Sequence, residues 1–227
     1  MREERKVVTA LFADVVGSTE LTERLDPEDA RDVLGAAVRA MVEAVESFGG
    51  TVKDLAGDGI LALFGAPVTH EDDAERAIRA GLRIVDGSTS PVAIRVGIET
   101  GLVVLGPVGG GGRIEYGATG DALNTAARLQ SRAEPGAVLV GEATRRGVAS
   151  RFVWGRERRL EVKGKAGPVS AFEVLGVARG ARAAVALTPM VGREGSSNAH
   201  RTSRSAPSPA RVARSSPSAN PGSARAA

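Results

Sequence analysis

Short apolar runs alternate along this chain with stretches in which apolar positions recur every three or four residues, and glycine, proline or an acid separates them. Val7–Ala13 is a nearly continuous apolar run ending on Asp14, and it predicts a buried strand. Gly17-Ser18-Thr19 then opens a short helix. Asp26-Pro27 starts a second one, an acid at the cap followed by proline at the first helical position. Its apolar residues Leu34, Ala37, Val38, Met41, Val45 and Phe48 fall at helical spacing, and Gly49-Gly50 stops it. Thr51–Ala56 and Ile60–Phe64, joined through Gly57-Asp58-Gly59, read as a β-hairpin.

Further on, Glu71-Asp72-Asp73 sets negative charge at the start of a third helix, with Ala74, Ala77, Ile78, Leu82 and Val85 on its buried face. Val92–Glu99 puts Val92, Ile94, Val96 and Ile98 on one side, the period of a half-buried strand. Leu102–Val108 and Arg113–Tyr116 flank Gly109–Gly112 as a second hairpin. No helix follows those glycines, so they predict a turn and not a phosphate cradle. A helix over Ala122–Arg132, a strand Val138–Val140, a helix Glu142–Val148 and two strands near Phe152–Trp154 and Val169–Val174 complete the pattern. The expectation is an α+β fold, one mainly antiparallel sheet backed by helices.

Charge divides the chain. From Arg179 onward eight arginines face one acid, Glu194, a balance of +7 in a chain whose total is +3, so the remainder carries −4. The basic character therefore belongs to the tail, and no basic stripe interleaved with aromatics suggests a specific nucleic-acid partner. The tail, rich in Ser, Pro, Ala, Gly and Arg, holds too few aliphatics to offset its ordering entropy, so residues 177–227 are expected to be disordered and 1–176 to form the folded domain. There is no cysteine, which excludes disulfides and thiolate metal sites. No window reaches the roughly 20 apolar residues of a membrane span. No signal-like stretch follows the charged start Arg2–Lys6, and the reading is soluble, cytoplasmic and without a membrane partner.

Two aspartates carry the candidate chemistry. If the strand before Asp14 lies beside the hairpin holding Asp58, their carboxylates converge on a point that suits a hard divalent cation. Two such ions about 3.5–4 Å apart can clamp the attacking and leaving oxygens of a phosphoryl displacement. Singly, each acid reads as readily as a helix cap or a turn residue. Asn124 and Arg128, four apart, share a helix face, and a solvated polar face is the commoner fate of such a pair.

Three segments change that weighting: Phe12-Ala13-Asp14-Val15-Val16-Gly17-Ser18-Thr19, Gly57-Asp58-Gly59-Ile60-Leu61-Ala62-Leu63-Phe64-Gly65, and Gly120-Asp121-Ala122-Leu123-Asn124-Thr125-Ala126-Ala127-Arg128-Leu129. In this order and spacing they resemble the class III adenylate/guanylate cyclase catalytic domain, over roughly Val7 to Leu175. The resemblance implies a ferredoxin-like fold that works as a homodimer, with active sites at the subunit interface. It implies conversion of a nucleoside triphosphate to a cyclic 3′,5′-nucleotide and pyrophosphate in signal transduction. Asp14 and Asp58 match the family's metal-binding aspartates, implying two Mg²⁺ or Mn²⁺ ions, one for the ribose 3′-hydroxyl and one for the departing pyrophosphate. Val15, Val16, Gly17, Ser18 and Thr19 would turn backbone N–H groups and a helix N-terminus to the triphosphate. Asn124 matches the residue that orients the ribose. Arg128 matches the one that stabilises charge on the α-phosphate, a task suited to its fixed planar fork. Lys163 matches a lysine that contacts the triphosphate.

The base-reading positions depart from the pattern. Adenylate cyclases of the family usually carry a lysine four residues before the second metal aspartate and an Asp or Thr seven before the ribose-binding Asn. Here those positions are Asp54 and Gly117. Lys53 is adjacent, but strand alternation sends it to the opposite face unless a bulge intervenes. An ionised Asp54 only accepts hydrogen bonds, from the adenine 6-amino group or from guanine N1–H and its 2-amino group. ATP and GTP both remain open, as does a rival reading: a weak or inactive cyclase-fold module that senses nucleotide or mediates dimerisation. Thr188–Glu194 resembles the start of the ATPase module that follows such domains in large regulators, and low-complexity sequence replaces it afterwards. A truncated or frameshifted remnant and a natural basic tail fit the composition equally.

Overall fold

The central strand outruns its apolar core. In the computed structural model, which describes residues 3–88, 92–110, 113–161 and 167–178, β1 covers Glu4–Val15. After it come α1 (Ser18–Arg24), α2 (Pro27–Ser47), β2 (Thr51–Ala56), β3 (Gly59–Phe64), α3 (Asp73–Asp86), β4 (Ile94–Gly110) and β5 (Arg113–Thr119). Next are α4 (Asp121–Arg132), β6 (Val138–Gly141), α5 (Glu142–Val148), β7 (Phe152–Leu160) and β8 (Val169–Val177). β1 extends through Glu4, Arg5 and Lys6 because its backbone pairs with β4 along its whole length, Glu4 opposite Leu105 and Val15 opposite Ile94. Ladder bonds use backbone groups, so charged side chains do not end the strand.

β4 corrects an expectation. The expected strands Val92–Glu99 and Leu102–Val108 are not separate: from Ile94 onward they form one strand of 17 residues, and Val92 and Ala93 lie outside it. Gly101 does not turn the chain. A Cβ there would lie 3.0 Å from the Ala122 Cβ, so the glycine serves the close approach of α4 to the sheet. Gly97 does so more strictly: a Cβ would overlap the backbone of Ala126 and Gln130. The second hairpin is as expected, with β4 and β5 paired as far as Gly110 and Arg113. β7 also runs past its apolar start, through Arg156–Arg159, as an edge strand paired with β8.

The sheet has eight strands in the order β2-β3-β1-β4-β6-β8-β7, with β5 on the far length of β4. Among the described residues only β4 and β6 run parallel, and every other pair is antiparallel. Alternation along β1 splits its residues between two cores. Leu11, Ala13 and Val15 pack with Met41, Ala44 and Val45 of α2 and Ala77, Ile78 and Ile84 of α3. Val8 and Ala10 pack on the other face with Ala122, Leu123 and Ala126 of α4. One face thus carries α2 and α3, and α4 lies across β4, β1 and β6 on the opposite face. Asp14, an even position like Val8 and Ala10, shares the α4 face.

Among the described residues no helix is long and apolar enough to cross a membrane. Lys163, the segment Thr188–Glu194 and the expected disorder of the tail lie outside the described residues, except for Val177, the last residue of β8, and Ala178.

Candidate active site

Register brings the two aspartates together. Asp14 lies opposite Gly59 on β3, so Asp58, in the turn that precedes it, is one residue from the Asp14 partner. The approach is close: a Cβ on Gly59 would sit 3.0 Å from Asp14 Oδ1 and 2.8 Å from the Ala13 carbonyl oxygen. Asp14 Oδ2 accepts two hydrogen bonds, from an Arg95 guanidinium nitrogen at 3.3 Å and from Gln130 Nε2 at 3.2 Å. Both donors use that one oxygen. Asp58 Oδ2 is buried and has no hydrogen-bond partner among the described residues.

That donor set answers whether a metal would fit. A buried carboxylate oxygen without a partner costs about 1–3 kcal/mol or more, and a cation relieves the cost. Two carboxylates with neither imidazole nor thiolate match a hard, oxygen-seeking divalent ion. The residues fit Mg²⁺ or Mn²⁺.

The segment after Asp14 is only partly available to an anion. Val15 is buried in the core, and the Val16 N–H donates to the Ala93 carbonyl at 2.8 Å. Gly17 caps α1 in the left-handed conformation (φ 70°, ψ 25°), a geometry that favours glycine. Ser18 is the first helical residue. Of the five residues, Gly17, Ser18 and Thr19 are those at the start of α1, where backbone N–H groups have no partner within the helix.

On α4 the polar residues divide. Ala122, Leu123, Thr125, Ala126, Leu129 and Gln130 are buried, Asn124 is exposed and Arg128 half-buried. Neither the Asn124 nor the Arg128 side chain has a hydrogen-bond or ion-pair partner among the described residues. At about 100° per residue, Arg128 points some 160° and Asn124 some 120° away from Gln130. Gln130 reaches the chain's own Asp14, and the other two face elsewhere.

At the base-reading positions a bulge is present. Val52 pairs with Ala62 and Asp54 with Leu61, leaving Lys53 as the extra residue of β2. A bulge re-aims side chains, so the alternation that would send Lys53 to the far face does not hold here. Asp54 is exposed, and its Oδ1 accepts the Leu55 N–H at 2.9 Å. Gly117 lies in β5 opposite Gly106.

Sequence reasoning passed over Arg95 and Gln130. Arg95 falls on the face of β4 opposite Ile94, Val96 and Ile98, and directly across from Asp14. Gln130 sits four residues after Ala126 on the buried stripe of α4. A charge on a central strand and an amide on an apolar stripe both signal a buried partner, and that signal was present in the sequence.

Residues 1–176 match the family described as the adenylate and guanylate cyclase catalytic domain. An adenylate cyclase of Mycobacterium tuberculosis is 31% identical over 164 residues, 69% of this chain and 37% of that protein. The crystal structure of the adenylyl cyclase CyaB from P. aeruginosa superposes with a TM-score of 0.73 at 30% identity, covering 79% of this chain and 98% of that one. The guanylyl cyclase Cya2 gives 0.72 at 31% identity, covering 80% and 98%. The chain spans between 18% and 37% of the length of the curated relatives that it matches. By match over most of its length, the chain belongs to the adenylate and guanylate cyclase catalytic-domain family.

Proposed function

We propose that this chain is a homodimeric nucleotide cyclase, converting ATP or GTP to the cyclic 3′,5′-nucleotide and pyrophosphate at sites shared between two subunits. Residues 1–176 form the catalytic unit, and a nucleoside triphosphate substrate implies a cytoplasmic setting. The observation that carries the reading is the division of α4. Gln130 holds Asp14 of its own chain, whereas Asn124 and Arg128, without side-chain partners among the described residues, face away from it. Those two groups are therefore available to the metal aspartates of a second copy.

Asp14 and Asp58 would hold Mg²⁺ or Mn²⁺, which when bound supplies Lewis-acid activation of the 3′-hydroxyl and neutralises charge on the departing pyrophosphate. Arg95, half-exposed beside Asp14, adds positive charge where the triphosphate must lie. Gly17, Ser18 and Thr19 contribute N–H groups to the same anion, and Lys163 a further cation. Asn124 of the facing subunit orients the ribose. Arg128 stabilises charge that develops on the α-phosphate, a role whose loss costs about 10²–10³ in kcat. Lys53 and Asp54 at the bulge meet the base, the lysine as donor and the aspartate as acceptor, and Gly117 leaves that pocket without a second reader.

Purified chain with Mn²⁺ and either ATP or GTP should yield the matching cyclic nucleotide, and Asp58→Ala should remove it. No product above the Asp58→Ala background, at concentrations that dimerise the chain, would instead favour a nucleotide-sensing or dimerisation module. The departures at Asp54 and Gly117 are what favour that second reading.

A further inference from the structure

Asp14 is held by two donors of different kinds. Arg95 brings a full positive charge to Oδ2, and a cation arriving at the same carboxylate is repelled by it. Gln130 brings a neutral amide, which orients the carboxylate without opposing the ion. The amide is buried, its residue only 8% exposed, and its position is fixed from below: α4 rests on Gly97 so closely that no side chain fits between them. With Oδ2 occupied by both donors, Oδ1 is the oxygen left facing the Asp58 turn across Gly59.

We propose that Gln130 is a positioning residue for the metal site: it fixes the Asp14 carboxylate so that Oδ1 is presented to the divalent ion. It does so from the helix that sends Asn124 and Arg128 to the facing subunit. Each α4 thereby serves two sites, tuning metal affinity in its own chain and supplying ribose and phosphate contacts to the other. This rests on the cyclase reading for the identity of the ion and for the two-subunit site, but the effect on metal affinity needs no catalysis.

Mn²⁺ binding to the nucleotide-free chain, followed by electron paramagnetic resonance, tests it directly. Gln130→Leu removes the donor at similar volume and should weaken Mn²⁺ binding about 10- to 100-fold, the usual effect of losing a group that orients a metal ligand. Gln130→Met, unbranched and without a donor, repeats the measurement should the leucine variant fail to fold. Thr125→Val, also buried on α4 and carrying a hydroxyl with no hydrogen-bond partner among the described residues, controls for packing and should leave Mn²⁺ affinity at the wild-type value. Affinity within about twofold of wild type in a folded Gln130 variant overturns the proposal.

A second arm uses mixed dimers of an Asp14→Ala chain with an Arg128→Ala chain. Gln130→Leu should reduce their activity more when placed on the chain that retains Asp14 than when placed on the other. Equal losses would mean that Gln130 merely holds α4 in place, and would overturn the proposal. Mixed dimers that are inactive with Gln130 intact would count against the two-subunit site, and Mn²⁺ binding alone would then decide the role of Gln130.

Discussion

Gly59 stands where a side chain has no room, between the Ala13 carbonyl and Asp14 Oδ1. Gly59→Ala should lower stability by about 1–3 kcal/mol through overpacking and, on the proposed reading, should also weaken Mn²⁺ binding, because the displaced atom is the oxygen proposed to face the metal. Urea denaturation and metal titration measure the two effects. A fall in stability with unaltered Mn²⁺ affinity would show that Asp14 Oδ1 is not the presented atom. At the base, Lys53→Ala should raise KM for the preferred nucleotide, and Asp54→Lys should shift the ratio of kcat/KM between ATP and GTP. A ratio unmoved by either change would place the base elsewhere. Asp14, Asp58, Asn124 and Arg128 stood out as candidates because each lies inside a recognisable motif, and the register of β1 and β3 brings Asp14 beside the Asp58 turn as the spacing suggested. Arg95 and Gln130 carry only the general signal of a polar group inside a regular period, and their partner is identified only when β4 and α4 lie beside Asp14.

The elements that frame the site depend on contacts closer than an ordinary side chain allows. α4 lies on β4 at Gly97, where a Cβ would overlap backbone atoms of Ala126 and Gln130. Backbone cannot swing aside as a flexible side chain can, so Gly97→Ala should cost about 3 kcal/mol or more. It should also lift α4, moving Gln130 from Asp14 and, on the proposed reading, Asn124 and Arg128 from the facing site together. A lowered denaturation midpoint with near-complete loss of cyclase activity is expected, and wild-type activity in this variant would contradict the account of α4. The apolar runs marked where the strands lie, although two of them proved to be the single strand β4, and caps and glycines located the helices. Strand ends escaped them, as at Glu4–Lys6 and Arg156–Arg159, because backbone pairing extends a ladder through residues that no hydrophobic pattern marks. The bulge at Lys53 escaped for a similar reason. It is a mismatch of register between β2 and β3, and a single strand's sequence contains no register.

On the scale of the whole molecule, the proposed reading has one chain supply halves of two different sites. Asp14 and Asp58 converge at the β1 and β3 ends with Arg95 and Gln130 around them. Asn124 and Arg128 sit on the far side of α4. Complementation between inactive chains is therefore the sharpest measurement. Asp14→Ala and Arg128→Ala homodimers should each be nearly inactive with Mn²⁺ and ATP or GTP. Random pairing makes half of the mixed dimers hybrids with one intact site of two, so the mixture should recover about a quarter of wild-type activity. Activity in the mixture no greater than the mean of the two inactive homodimers would contradict a site built from both subunits.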